Sequence, residues 1–227
     1  ATMNFVRTLE ETKFYTDNGF SDFFVSHEAM HLEYEDCFVR QDSRTGQLYL
    51  CSTHLPWIGE RTRSIGGAHV SFFRDVANPI GIKVGPTADP IEVAETVRLL
   101  NPAYEQGKIV LIARMGDEIE RLADIIHFCK SFDVVWMTDP MHGNTFTLED
   151  GTKTRSVRDI EREIEYFFKV CKMCGVHPAG VHLEMTGEDV TECIDDNVQQ
   201  FTNYKSLCDP RLNQKQSLDV LSTIRGS

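Results

Sequence analysis

Short apolar runs of β-forming residues, each followed by a stretch with helical spacing, constrain this chain more than anything else in it. "IGIKVG" (80–85) precedes "DPIEVAETVRLL" (89–100), where apolar residues recur at Ile91, Val93, Ala94, Val97, Leu99 and Leu100. "IVLIARMG" (109–116) precedes "DEIERLADIIHFCK" (117–130). "VVWMTDP" (134–140) precedes a loop and a long amphipathic pattern over 156–174. "AGVHLEMTG" (179–187) precedes a short acidic segment, and "QSLDVLSTI" (216–224) reads as a last helix. Strands that face water on one side alternate apolar with polar residues, whereas strands covered by helices on both faces are continuously apolar. The pattern therefore predicts an α/β fold, a parallel sheet covered by helices. "GQLYLCST" (46–53) predicts a further strand upstream, after a helical N-terminal part. A (β/α)8 barrel, or a large piece of one, fits better than an open doubly wound sheet, because no G-x-G-x-x-G follows the first strands. No repeat, low-complexity run or Ser/Gly/Pro linker divides the chain, so 1–227 reads as a single domain.

Composition narrows the partners. Of 227 residues, 41% are hydrophobic, enough for a sizeable core. No apolar run reaches the ~20 residues of a membrane span, and no charged-then-apolar leader is visible. The net charge of −12 argues against nucleic acid or an anionic membrane as partner, but not against small anions held by a local basic cluster. Seven cysteines without a framework pattern suit a reducing compartment. "CKMC" (171–174) falls on the apolar face of the 156–174 pattern with no second pair to complete a zinc site, and reads as packing.

The strands end in unusual polar residues: Lys83, Arg114, Asp139 with His142, and Glu184. Parallel α/β folds collect binding groups at the carboxyl ends of their strands. His142, Glu184 and Asp209 follow three strand-like runs. One imidazole and two carboxylates suit a divalent ion such as Mn²⁺, Fe²⁺, Co²⁺ or Zn²⁺. Taken singly, His142 is as well read as a loop cap, Glu184 as the partner of a lysine, and Asp209 as a turn residue before Pro210. Arg61, Arg63, Lys83, Arg114, Lys153, Arg155 and Arg211 flank the same ends. Arginine forks grip phosphate or carboxylate bidentately and lysine supplies a point charge, although most such residues on most proteins are solvated surface charge. In "WIGERTR" (57–63), Trp57, Glu60, Arg61 and Arg63 read as an arginine pair held by a carboxylate. His182 and Glu184, two apart on a strand, face the same side.

These segments together resemble the class II (plant-type) 3-deoxy-D-arabino-heptulosonate 7-phosphate (DAHP) synthases. The resemblance rests on "SHEAMHLEYE" (26–35), "STHLPWIGERTR" (52–63), "GGAHVSFFRDVANPIGIKVGP" (66–86), "LIARMG" (111–116), "DPMHGNT" (139–145), "KTR" (153–155), "HLEMTGEDVTEC" (182–193) and "CDPRLNQKQSL" (208–218). "STHLPWIGERTR" and "SLCDPRLN" look like the branch that feeds phenazine-type metabolism. The resemblance implies a TIM-barrel enzyme of the shikimate pathway that condenses phosphoenolpyruvate with erythrose 4-phosphate and releases phosphate. It implies His142, Glu184 and Asp209 as ligands of a divalent metal, Mn²⁺ foremost. It implies Trp57, Glu60, Arg61, Lys83 and Arg114 around phosphoenolpyruvate, with Lys83, Arg114 and His142 catalytic, and Lys153 and Arg155 near the sugar phosphate. A cytoplasmic or, in a plant, plastid location and a homo-oligomer go with it. The chain departs from the family in length: class II enzymes run to roughly twice 227 residues. The segment bringing the first two barrel strands, a metal-binding cysteine and a further arginine has no counterpart here. About six barrel strands are expected, so a second chain or further sequence would be needed to close the barrel. The alternative is a non-catalytic or regulatory remnant that binds phosphorylated ligands.

Overall fold

A computed structural model of the chain describes residues 24–225. The expected helical N-terminal part falls largely outside them. In chain order the described elements are β1 (Ser26–Glu28), α1 (Leu32–Asp36), β2 (Val39–Gln41), β3 (Leu48–Leu50), β4 (Leu55–Ile58), α2 (Ala68–Phe73), β5 (Ile80–Val84), α3 (Pro90–Leu100) and β6 (Ile109–Ala113). There follow a 3-10 segment (Gly116–Arg121), α4 (Leu122–Cys129), β7 (Val135–Thr138), β8 (Thr145–Thr147), β9 (Lys153–Arg155), α5 (Val157–Cys174), β10 (Pro178–Val181) and α6 (Gln214–Arg225). Six strands form one sheet in the order β1-β4-β5-β6-β7-β10, every pair parallel. This is the expected α/β architecture, and among the described residues the six parallel strands are consistent with part of a (β/α)8 barrel and do not close.

Local sequence explains the main helices. Asp89 caps α3 by accepting from Ile91 N, with Pro90 at the first helical position, where its missing N–H costs nothing. Ser156 caps α5 through Asp159 N, and Gly175 ends it at φ +70°, its N–H bonded to Cys171 and Lys172 carbonyls. Asn213 and Gln216 exchange side-chain to backbone bonds at the start of α6, a reciprocal cap. Both cysteines of "CKMC" pack toward the core: Cys171 is fully buried and Cys174 partly so.

Side-chain alternation divides the sheet into two faces. Ile80, Ile82 and Val84 of β5, Ile109, Leu111 and Ala113 of β6, and Trp136 of β7 pack with Val93, Val97, Ile126 and Phe167 of the helices. The intervening residues, Gly81, Lys83, Val110, Ile112, Val135 and Met137, face the other way. Burial is complete along β5 and β6, alternates along β4 and β7, and falls off at β1 and β10. The sheet curls. Trp57 on the second strand and His182, just past the sixth, have ring centroids 5.0 Å apart, although four inter-strand steps across a flat sheet span roughly 19 Å. Gly81 makes room on that inner face, since a Cβ there would lie 2.8 Å from Cβ of Trp57.

Two expectations need correcting. Leu48–Leu50 is a strand, but it pairs antiparallel with β2 in a separate ribbon. Asn78 takes both of its outward backbone bonds, accepting from Leu50 N at 2.8 Å and donating to Leu50 O at 3.0 Å. The sheet strand of that region is β4, which Pro56 conceals, because proline argues against a strand interior. The helix expected over 117–130 begins as a 3-10 segment and becomes α-helical only from Leu122.

Leu111, 1% exposed, sits at the centre of the helix-covered face. Leu111→Ala should cost about 2–5 kcal/mol through lost burial and the cavity left behind. Urea unfolding of the two chains checks this, and a loss under about 1 kcal/mol would show that the central strands are not the core.

Candidate functional site

Asp139 lies just past the end of β7 and is fully buried. One oxygen, Oδ2, meets Lys83 Nζ from β5 and the Nδ1 of His142 at 2.7 Å. The other accepts from the backbone N–H of Met141 (3.1 Å) and His142 (3.2 Å). Burial favours the neutral acid, but the His142 hydrogen bond and the Lys83 charge outweigh it and hold this carboxyl well below the usual carboxylate range. Burial in turn lowers the pKa of Lys83 against the opposing pull of Asp139.

With Nδ1 engaged by Asp139, His142 presents Nε2 outward. That atom is 3.6 Å from Oε1 of Glu184 and 3.8 Å from Oδ2 of Asp209. The three residues offer ligand atoms within 4.8 Å of one another. An ion bonded at 2.0–2.2 Å to each would bring its donors to roughly 3–3.6 Å apart, a spacing that the two His142 distances already approach. A metal-binding imidazole characteristically donates its other N–H to a carboxylate, which fixes the tautomer and leaves the lone pair free. Asp139 supplies that partner. Glu184 and Asp209 line a pocket of about 400 Å³ that Cys208 and Arg211 share. The three sequence candidates for the metal thus come together.

The other bank of the site comes from β4, β5 and β6. Lys83 Nζ stands 5.6 Å from the centroid of the Trp57 ring. The edge of the Trp57–His182 contact lies beside it. Burial first, and the Lys83 cation second, push His182 down to about 4, so it is neutral at neutral pH. Glu60 accepts from Gly85 N at 2.5 Å. A Cβ added at Gly85 would lie 3.2 Å from Cδ of Glu60 and 3.3 Å from Nη1 of Arg114, so glycine lets both side chains crowd the end of β5. Arg114 donates from Nη2 to the His142 carbonyl at 2.9 Å. The arginine held by Glu60 is Arg63, at 3.2 Å, which is buried and also reaches Glu92 at 3.4 Å. Arg61 is exposed, with no ion pair among the described residues.

Lys153 and Arg155 share strand β9 and differ in role. Lys153 is half exposed, with Nζ 3.5 Å from Oδ1 of Asp209. Arg155 is fully buried. Its Nε donates to Thr145 Oγ1 at 2.7 Å, and its Nη1 to Glu184 and to the Pro210 carbonyl. Among the described residues its Nη2 has no hydrogen-bond partner. Arg155 therefore faces the protein interior and holds Glu184, which fixes one donor of the cation set from beneath.

Of two buried acids, the sequence marks Asp139 only as a strand-end polar residue and gives Glu163 no role. Asp139 sits three residues before His142, and its signal was an acid at a strand end followed at i+3 by an imidazole. Glu163, 2% exposed, lies on the apolar face of α5 between Ile160, Ile164 and Phe167. Its carboxyl accepts from Met115 N (2.7 Å), Gly116 N (3.0 Å) and Asn144 Nδ2 (2.7 Å), tying the loop after Arg114 to the loop after His142. The two loops touch so closely that a Cβ at Gly116, whose φ is +57°, would meet the Gly143 carbonyl at 2.7 Å. Cys37, Cys51 and Cys208 are exposed, while Cys129 and Cys193 are buried. No helix among the described residues is long and apolar enough to cross a membrane.

Residues 1–225 match the model of the Class-II DAHP synthetase family. Over 208 residues the chain is 46% identical to a protein of Streptomyces coelicolor named phospho-2-dehydro-3-deoxyheptonate aldolase, covering 88% of this chain and 46% of that protein. Over 215 residues it is 42% identical to phospho-2-dehydro-3-deoxyheptonate aldolase AroG of Mycolicibacterium smegmatis, again over 88% and 46%. The chain thus spans about half the length of these relatives.

Glu163 yields a pH signature. Burial outweighs its three hydrogen bonds and raises its pKa from 4.5 to about 8. A group whose folded pKa is raised contributes stability that is complete below the unfolded value and is lost as pH rises through the folded one. Stability should therefore fall between about pH 4.5 and pH 8 by up to about 1.4 kcal/mol per pH unit from this residue. Denaturation of Glu163→Gln beside the unaltered chain across that range should show the slope removed. Parallel curves would show that Glu163 titrates normally.

Proposed function

Because the chain belongs to the Class-II DAHP synthetase family, we propose that it carries the cation- and phosphoenolpyruvate-binding part of an enzyme that condenses phosphoenolpyruvate with erythrose 4-phosphate to DAHP and phosphate, the entry to the shikimate pathway. The observation that carries the reading is the convergence of His142, Glu184 and Asp209, with Asp139 orienting the imidazole, beside Lys83 and Arg114. In this reading those three residues hold the divalent metal, Mn²⁺ foremost, with Co²⁺, Fe²⁺ or Zn²⁺ also suited to the donor set. The bound ion supplies a Lewis acid for the aldehyde oxygen of the sugar.

The protein's own groups do the rest. Lys83 and Arg114 take the carboxylate and phosphate of phosphoenolpyruvate, with Arg61 able to fold over from the surface. Glu60 holds the end of β5 in place through Gly85 N and restrains Arg63. Trp57 supplies an apolar wall against the flat enol, and neutral His182 closes that wall without adding charge. Lys153 meets the sugar phosphate, while Arg155 backs it from within through Glu184. Two phosphorylated substrates repel each other, and convergent cations offset that repulsion while fixing the reacting geometry. Further strands beyond the six of the described sheet would complete an eight-stranded barrel, on a longer chain or on a second copy, and just past β10 Met185 already bridges in parallel to Leu212. Bacterial relatives fit a cytoplasmic setting.

A second reading is a remnant that binds phosphorylated ligands without turning them over. Supplying the chain with both substrates and Mn²⁺ and following phosphate release separates the two. Release supports the synthase, and binding without release supports the remnant. Mn²⁺ should raise the melting midpoint of the unaltered chain, because a ligand that binds only the folded state stabilises it. His142→Ala should melt normally without metal and gain nothing with it. A full metal-induced shift in that variant would remove His142 from the cation set. Arg114→Ala should weaken phosphoenolpyruvate binding by at least ~1.5 kcal/mol, the scale of a charged hydrogen bond. An unchanged dissociation constant in calorimetry would take Arg114 out of the anion site.

A further inference from the structure

Glu192 takes no part in the cluster above, yet it is fully buried. Its Oε1 accepts from Lys205 N (3.0 Å), Ser206 N (2.9 Å) and Arg211 Nη2 (2.8 Å). Its Oε2 accepts from Arg211 N (2.8 Å) and Arg211 Nε (3.0 Å). A carboxylate has about four lone-pair directions, so five donors leave it nothing for a ligand. Burial alone would raise its pKa, but the bonds from Arg211 and the backbone hold it below the ordinary value. All five donors come from 205–211, the loop that carries Asp209. That loop has no helix or strand of its own; backbone bonds between Leu212 and the Glu184–Thr186 segment hold its end, and side-chain bonds hold the rest. Ser206 Oγ donates to the Asp209 carbonyl at 2.6 Å. Glu192 is itself anchored, since its carbonyl accepts from the buried Thr154 Oγ1 at 2.9 Å, between Lys153 and Arg155.

We propose that Glu192 is a positioning residue: it clamps the 205–211 loop against the β8–β9 hairpin, so that Asp209 stands within reach of His142 and Glu184, and it thereby sets the affinity of the site for a divalent cation. The inference rests on reading His142, Glu184 and Asp209 as cation ligands. Arg211, which the sequence groups with the anion-binding cations, then belongs to the clamp. The exposed pair Glu188–Lys205, 3.3 Å apart, reaches the same loop from outside it and provides an internal comparison, because an ion pair in water contributes little.

The test compares the unaltered chain with Glu192→Gln and Glu188→Gln. Without metal, amide hydrogen exchange at Lys205, Ser206 and Arg211 should be at least about tenfold faster in Glu192→Gln, with β5 and β6 still protected. The Mn²⁺ dissociation constant in calorimetry should rise at least about tenfold, the usual scale for groups that orient a ligand. Phosphoenolpyruvate affinity measured without metal should stay within about twofold, because its contacts come from the other bank of the site. Glu188→Gln should change none of these. This split is not what general loosening produces: lost protection in β5 and β6, or equal loss of both affinities, would make Glu192 a mere structural support and overturn the proposal. A Mn²⁺ affinity unchanged in Glu192→Gln while the loop amides open would overturn it as well. If the unaltered chain takes up no Mn²⁺, the cation reading itself fails; the loop exchange then judges the clamp alone, and unchanged rates at the three amides would overturn that too.

Discussion

A single buried carboxylate sets the geometry of the site. Asp139 draws Lys83 from a strand two places away and orients His142 on its own loop. A buried charge stripped of its partners costs about 3–5 kcal/mol, so neither Lys83 nor His142 can be moved without leaving the acid exposed to that penalty. One oxygen serves both, which means that Lys83 and His142 share a fixed point. The two banks of the site are therefore one electrostatic unit, and the acid that unites them touches no solvent.

The parts legible in the sequence were those where one physical demand dominated. β5 and β6 are buried along their whole length and, Lys83 apart, apolar, because helices cover one face and a curled sheet the other. Lys83 stood out against that background, as did Arg114 and His142 at strand ends. β4 was hidden because Pro56 and a half-buried pattern imitate a loop. β1 was hidden because three residues, two of them His27 and Glu28, carry no periodicity. Glu163 and Glu192 were illegible for a different reason. An acid in "REIEY" or "VTEC" looks like surface solvation, and only the folded chain reveals backbone N–H groups aimed at it. Arg155 misleads in the same way: the sequence shows a cation two residues from Lys153, on the same face of β9, and only the fold shows that Lys153 is half exposed while Arg155 is buried.

Loops around the site are held by acids reaching out of regular elements and their immediate continuations. Glu163 from a helix secures the turns after β6 and β7, and Glu60 from the loop after β4 secures the end of β5. These contacts place irregular backbone on a rigid frame, which is how a loop-borne site acquires definite distances. The cost is tolerance. Gly116 and Gly143 meet backbone to backbone, and the left-handed φ at Gly116 excludes other residues twice over, by conformation and by space.

The curl that brings Trp57 against His182 has a kinetic meaning. These rings sit on strands separated by more than half of the chain, and each parallel neighbour in between requires a long crossover. Contacts between distant segments repay their loop-closure entropy late. The β5–β6 centre, apolar and adjacent in sequence, can assemble around its helices while the sheet is still flat. Such an intermediate would hold the scaffold, with Lys83 and Asp139 already near each other, and yet have no pocket. The pocket thus depends on a long-range closure, so a defect confined to that closure would remove the pocket before it removed most of the structure.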